Sequence, residues 1–538
     1  MISAPPRAST AILVLSLLAL SGCPDAAHQA GSGGGGAAPT SGKGTLTWGS
    51  GADPVTLDPA DATDGESVKP IANLFDTLVR YKEGSTEVEP CLATEWSVSE
   101  DRLTWTFELR EGVEFHDGTP CDAAAVAFSF ERQRDPNHPF HQGEFVYWHD
   151  QFSVVQKVEA KGERTVVFTL ERPFVPFLAN LAMFTASIVS PAQFEALKGQ
   201  PESFAARPVG TGPFKLVEWR RGEAVVLEAF DGYWGGRPSL DRLVFRTIPD
   251  NTSRVKLLQK GELDAIDGLN PADVTELAQS PGVKVVREPG MNTAYLALNN
   301  LEAPFDDVRV REAVALALDL GTVADKLYEG LAIPAANLVP PMIPGWHDGL
   351  QPRGQDRERA RALLAEAGHP EGFETRLWTM TNPRPYMPQP DKLAQYVKGA
   401  LQQVGIKVTV VPKEWASYLQ EVQKGEHEMC FMGWIGDNGD ADNFLYVLLD
   451  KENTTPGAAS NYSFYRSDEV HELLVAARAE FDLAKRAGLY RKAQELIHRD
   501  VPMVPLVHNE NKVALRERVS GFRLHPTGLL RFHGVKAE

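Results

Sequence analysis

Between residues 373 and 449, strand-length apolar runs alternate with helix-forming stretches, and this alternation restricts the fold more than any other feature. Residues 375–380 read as a strand, a helix starts at about Asp391, and 406–411 form a second strand. A helix follows over 415–422, and Met429-Cys430-Phe431-Met432 has the length of a third, buried strand. The order β-α-β-α-β builds a parallel sheet, because parallel neighbours require a crossover, and ligands gather beyond the carboxyl ends of such strands.

Two loops then leave strand ends on one edge of that sheet. The first, 381–386, carries Arg384 and Tyr386. The second, 433–443, carries Trp434, Gly436 and Asp437 among three glycines and three aspartates. Glycine lets backbone approach a ligand, tryptophan supplies a flat wall, and a carboxylate holds a cation. Opposite charges so placed can grip the two ends of a small zwitterion. A calcium loop does not fit, since from Asp437 the third position, which should be a ligand, is Gly439, and from Asp440 the required Gly is missing. A solvated acidic turn stays open as an alternative, as does a surface Arg384 in a Pro-rich loop. The run 444–449 reads as a capped helix start or a strand.

The length of 538 residues implies more than one lobe, and a formal net charge of −18 argues against nucleic acid, which demands a basic face. No interior stretch has the roughly 18 uncharged apolar residues of a membrane span. At the amino terminus Arg7 precedes the apolar run 11–20, and Leu20-Ser21-Gly22-Cys23 resembles the lipobox at which bacterial lipoproteins are cut and acylated. Residues 1–22 are therefore expected to be a signal peptide, Cys23 the lipidated residue, and 23–44 a flexible Gly-rich tether. In an exported chain Cys91 could pair with Cys121, leaving Cys430 buried in its strand. Neither CxxC nor HExxH occurs, and GxSxG is also absent, so a secreted peptidase lacks its metal or nucleophile constellation.

Elsewhere 45–48, 104–109 and 165–170 read as strands, with a polar loop over 49–64. Asp306-Asp307 cap a helix with apolar face Val310, Val314, Ala317 and Leu318. Further helices are expected over 359–367 and 485–498.

Glu89-Pro90-Cys91-Leu92-Ala93-Thr94-Glu95-Trp96, Val113-Glu114-Phe115-His116-Asp117-Gly118, Gly210-Thr211-Gly212-Pro213-Phe214, Phe230-Asp231-Gly232-Tyr233-Trp234-Gly235 and Arg309-Val310-Arg311-Glu312-Ala313 together resemble the signature of family 5 solute-binding proteins, the extracytoplasmic receptors of peptide and nickel ABC importers. The resemblance covers essentially everything after the tether and is strongest to the dipeptide-binding members. It implies an α/β, two-lobed periplasmic-binding-protein fold of type II character, with an extra subdomain in the first lobe. Lobe I would comprise 45–289 and 508–538, with a subdomain inserted over about 66–209, and lobe II would comprise 290–507. The crossovers would lie near 290–292 and 506–508.

The resemblance also implies that Arg384 takes a peptide carboxylate, Asp437 its ammonium, and Tyr386 lines the pocket. Trp415, Trp434 and Gly436 would form walls, with the loop Thr63-Asp64-Gly65 reaching in from lobe I. Asp64 and the segment 140–148 depart from the family pattern. No catalytic residue, cofactor or metal is implied, and His116 reads as structural. The expected partners are a short peptide and membrane permease subunits, with a lipid anchor as the only membrane contact and a monomeric chain. Longer peptides, haem, glutathione or nickel are alternative ligands within the family, although the 13 His do not cluster; a sensory co-receptor is a further alternative.

Overall fold

The computed structural model describes residues 44–538, so the expected signal peptide, Cys23 and the tether up to Lys43 lie outside the described residues. Strands Glu374–Met380, Lys407–Lys413 and Met429–Ile435 form the expected parallel unit, with Glu374–Met380 between the other two. Helix Pro390–Gln402 makes the first crossover and buries Leu393, Ala394, Val397, Ala400 and Leu401, the i, i+3, i+4 spacing of a helix lying on a sheet. Helix Trp415–Lys424 makes the second. It ends at Gly425, whose φ of 78° satisfies the last carbonyls at no steric cost to a side chain. Residues Asp442–Leu449 are helical, which settles the alternative left by their short apolar run.

Met429–Ile435 pairs antiparallel with Asn292–Leu298, a strand buried along its whole length. That strand pairs in turn with Met503–Arg516, 14 residues long. The long strand continues past this partner and pairs with Val283–Pro289, from Glu510 opposite Pro289 to Arg516 opposite Val283. Both expected crossings thus run side by side as a hydrogen-bonded ribbon. Beyond it the same sheet continues through Thr45–Ser50, which runs parallel to Arg242–Thr247. A separate antiparallel sheet has the order Ala93–Val98, Thr104–Leu109, Thr165–Leu170, Val155–Lys161.

The apolar cores divide along the same line. The largest draws only on residues between Met291 and Val507. The buried residues of the others come from 46–283 and from the returning segment 513–537, with Leu331 from the intervening chain, and Phe481 packs against one of them. Among the described residues no helix is long and apolar enough to cross a membrane.

One expectation is corrected. Cys91 and Cys121 are free, buried thiols and not a disulfide. The Cys91 thiol donates to Asp76 Oδ1 at 3.7 Å, and burial raises both thiol pKa values, which keeps the sulfurs protonated and unreactive.

Candidate functional site

The two loops at the sheet edge are built differently. Arg384 and Met387 exchange backbone hydrogen bonds of 3.0 and 2.9 Å, pinching the first loop into a tight turn. Asn509 donates to Pro385 O at 2.7 Å and the Tyr328 hydroxyl to Tyr386 O at 2.8 Å. The Tyr386 ring lies against Gly433, where a Cβ would come within 2.2 Å of Cδ2. So Tyr386 props the turn from below. Above it the Arg384 guanidinium stacks 3.6 Å from the Trp415 ring centroid. Its Nε has no partner, and burial lowers its pKa. A half-buried guanidinium with open donors suits a planar carboxylate.

The second loop is organised by Asn443. Its Oδ1 accepts from Trp434 Nε1 at 2.8 Å and from the Asp437 backbone N–H at 3.0 Å, while its Nδ2 donates to Asp437 Oδ2 at 3.3 Å. Gly436 is a packing glycine, since a Cβ there would meet Phe444 at 2.7 Å and Met291 at 2.9 Å. Asp437 makes no ion pair among the described residues. Burial pushes its pKa up to about 6, against the hydrogen bonds from Tyr147 and Asn443, which pull it down.

Sequence reasoning missed the residues that meet this loop from the other lobe. The Tyr147 hydroxyl donates to Asp437 Oδ1 at 3.0 Å, and the Tyr81 hydroxyl, which donates to Ala179 O at 2.8 Å, lies 3.3 Å from Asp437 O. Asn438 Nδ2 donates to Asn180 Oδ1 at 2.6 Å, and a Cβ on Gly439 would fall 2.0 Å from Thr86 Oγ1. Tyr147 lies in the segment 140–148 that departs from the family pattern, but that departure carried no indication of a contact.

Asp64 has a structural role. Its Oδ1 accepts from the backbone of Glu66 and Ser67 at 3.0 and 2.9 Å, capping helix Gly65–Leu74, and its Oδ2 accepts from the Ser67 hydroxyl at 2.6 Å. Among the described residues no hydrogen bond joins Thr63, Asp64 or Gly65 to the loops of Arg384 and Asp437, although the Asp64 charge helps to raise the Tyr147 pKa. His116 is also structural, with Nε2 on Gly212 O at 2.9 Å. Asp450, Glu452 and His471 come within metal-ligand distance of one another. They are engaged locally, His471 with Asp450 at 2.9 Å and Glu452 with the Tyr446 hydroxyl at 2.5 Å.

The profile of the bacterial extracellular solute-binding proteins, family 5 (Middle), matches residues 87–456. The chain belongs to this family. The dipeptide-binding protein of Escherichia coli (strain K12) is 38% identical over 478 residues, covering 86% of this chain and 89% of the relative. Haem-binding protein A of Haemophilus influenzae is 37% identical over 499 residues, covering 90% and 91%. Among solved structures, the ABC transporter-associated periplasmic binding protein DppA from Helicobacter pylori, in complex with peptide STSA, aligns with a TM-score of 0.83 at 37% identity, covering 92% of this chain and 98% of that one. A family 5 solute-binding protein works by enclosing its solute between lobes that move on a hinge. The Tyr147–Asp437 and Asn180–Asn438 contacts join two such lobes at the charged loops.

Proposed function

We propose that this protein captures a dipeptide or other short peptide between its lobes and delivers it to the membrane subunits of an ABC importer, without catalysing a reaction. The observation that carries this reading is the pairing of Arg384 with Asp437. Each is a charged group without an ion-pair partner among the described residues, on loops that leave adjacent parallel strands at one edge. Arg384 takes the peptide carboxylate and Asp437 the ammonium. Trp415 orients the guanidinium, Trp434 walls the pocket, and Tyr386 and Gly436 support the loops. The lobe limits we read are 45–289 with 508–538, and 290–507; the cores divide consistently with them. Cys23, in Leu20-Ser21-Gly22-Cys23, is read as the lipid anchor of an exported, monomeric protein.

The experiment is isothermal titration of the chain from Gly44 onward with a free dipeptide, its C-terminal amide and its N-acetyl derivative. Tight binding of the free dipeptide only is the expected result. Failure of all three, with saturable binding of haem in a parallel titration, would move the protein to the haem-binding branch that its Haemophilus influenzae relative represents.

A further inference from the structure

A polar cavity of about 70 Å³ lies within the first lobe, lined by Asp76, Arg80, Cys91, Tyr233, Arg531 and His533 and by nothing from the second. A buried water occupies roughly 10–15 Å³ on this measure, so the space holds about five water-sized atoms. That is the heavy-atom count of one tetrahedral oxyanion.

The hydrogen-bond accounts of this cavity do not balance. Arg531 spends Nη1 on Tyr81 O at 3.2 Å, and among the described residues its Nε and Nη2 bond to nothing in the protein. Arg80 spends Nε on Glu89 at 2.8 Å, and among the described residues its terminal nitrogens make no hydrogen bond. The nearest carboxylate has no capacity to answer them. The oxygens of Asp76 already accept from Trp234 Nε1 at 2.9 Å, Thr211 Oγ1 at 3.1 Å, the Tyr233 hydroxyl at 3.3 Å and the Cys91 thiol at 3.7 Å. The hydroxyls of Thr77 and Ser187, also in the lining, donate to Val79 O and Phe184 O, each at 2.6 Å. Those hydroxyls have spent their protons, so the donors left open to the space are the guanidinium N–H groups of Arg80 and Arg531.

Charge leans the same way. Two guanidiniums face the cavity, and burial, with the Arg80 charge adding to it, lowers the Arg531 pKa. Burial raises the Asp76 pKa, against the hydrogen bonds from Trp234 and Thr211 and the charges of Arg80 and Arg531, which pull it down. Glu89 reaches Arg80 from its half-exposed side only. A small oxyanion offers the acceptor edges that guanidinium forks match.

We propose that this cavity is a binding site for one small oxyanion of the phosphate or sulfate class, held between Arg80 and Arg531. The site is separate from the peptide site and does not depend on the peptide reading.

The test uses the chain from Gly44 onward in chloride buffer, titrated with inorganic phosphate and followed by calorimetry and by ³¹P NMR line width. One phosphate per chain should bind saturably, with sulfate competing. Arg531→Met and Arg80→Gln should each weaken phosphate at least about tenfold, the loss of a charge-assisted pair. Arg287→Gln, an exposed arginine paired with Glu510 elsewhere, should leave it unchanged. If Arg531→Met does not fold, Arg80→Gln decides alone, because Arg80 is partly exposed and tolerates replacement. No saturable binding by the parent chain, or equal binding in parent and Arg80→Gln, overturns the proposal.

Discussion

The Tyr147 hydroxyl reaches across 290 positions of sequence to donate to Asp437 Oδ1 at 3.0 Å. The carboxylate that we assign to the ligand's ammonium is thus oriented by a phenol from the opposite lobe. A carboxylate can accept about four hydrogen bonds, so Tyr147, Asn443 and an ammonium can share it. Tyr147→Phe should therefore weaken a free dipeptide by about tenfold, the worth of one hydrogen bond to a charged group. Titration calorimetry reads this directly. Unchanged affinity would mean that the hydroxyl plays no part in binding.

The titration of Asp437 sets a pH dependence. With a pKa of about 6 before binding, the carboxylate is ionised at neutral pH and protonated in acid. An ammonium ligand favours the ionised form, so binding lowers this pKa and releases a proton when the pH is below it. Affinity for a free dipeptide should hold above about pH 7 and fall roughly tenfold per unit well below 6. An N-acetylated dipeptide should show no such slope. Calorimetry in buffers of different ionisation enthalpy counts the released protons, and a count of zero near pH 5 would place the ammonium elsewhere.

Arg384→Ala removes one of two charges that a bound dipeptide would bury. Breaking a buried pair from one side costs about 3–5 kcal/mol, or roughly 200-fold to several-thousand-fold in affinity. A C-terminally amidated dipeptide, lacking the carboxylate, should lose little. Asp437→Asn should show the mirror pattern with N-acetylated dipeptides. If either variant binds free dipeptides like the parent, its residue is not an anchor.

Gly433 and Gly65 separate packing from local preference. A Cβ at Gly433 would meet Tyr386 Cδ2 at 2.2 Å and the backbone oxygen of Thr293 at 2.6 Å, whereas Gly65 has no atom within 4 Å. Gly433→Ala should cost about 1–3 kcal/mol by overpacking and should also disturb the Arg384 turn resting on Tyr386. Gly65→Ala should be neutral or slightly stabilising. Thermal unfolding of the two variants gives the comparison, and equal melting temperatures would contradict it.

Cys91, Cys121 and Cys430 are all buried as thiols. A thiol reagent should label none of them in the native chain from Gly44 onward and all three in denaturant, without prior reduction. Recovery of a single reactive thiol after denaturation would reveal a disulfide between two of them.

The parallel unit around 374–435 was legible because apolar spacing changes there from strand to helix and back, and each switch survives in the structure. That the loops of Arg384 and Asp437 leave neighbouring strand ends was legible because topology alone brings such ends together. The capping role of Asp64 was open to reading too, since an aspartate directly before a helix is itself a capping signal. Tyr81, Asn180 and Thr86 left no trace that periodicity or spacing could find. They meet the second loop through the packing of one lobe on another, which local pattern does not encode.

Strand Met503–Arg516 feeds different apolar cores at its two ends, pairing with Asn292–Leu298 at one and with Val283–Pro289 at the other. Side chains on a strand alternate faces with a period of two, so inserting one residue near its middle would turn half of the strand inside out for one lobe. Loops elsewhere in the chain can lengthen or shorten freely, but here the count of residues is shared property. Anyone grafting the second lobe of one relative onto the first lobe of another must therefore cut outside 503–516 and carry the strand whole.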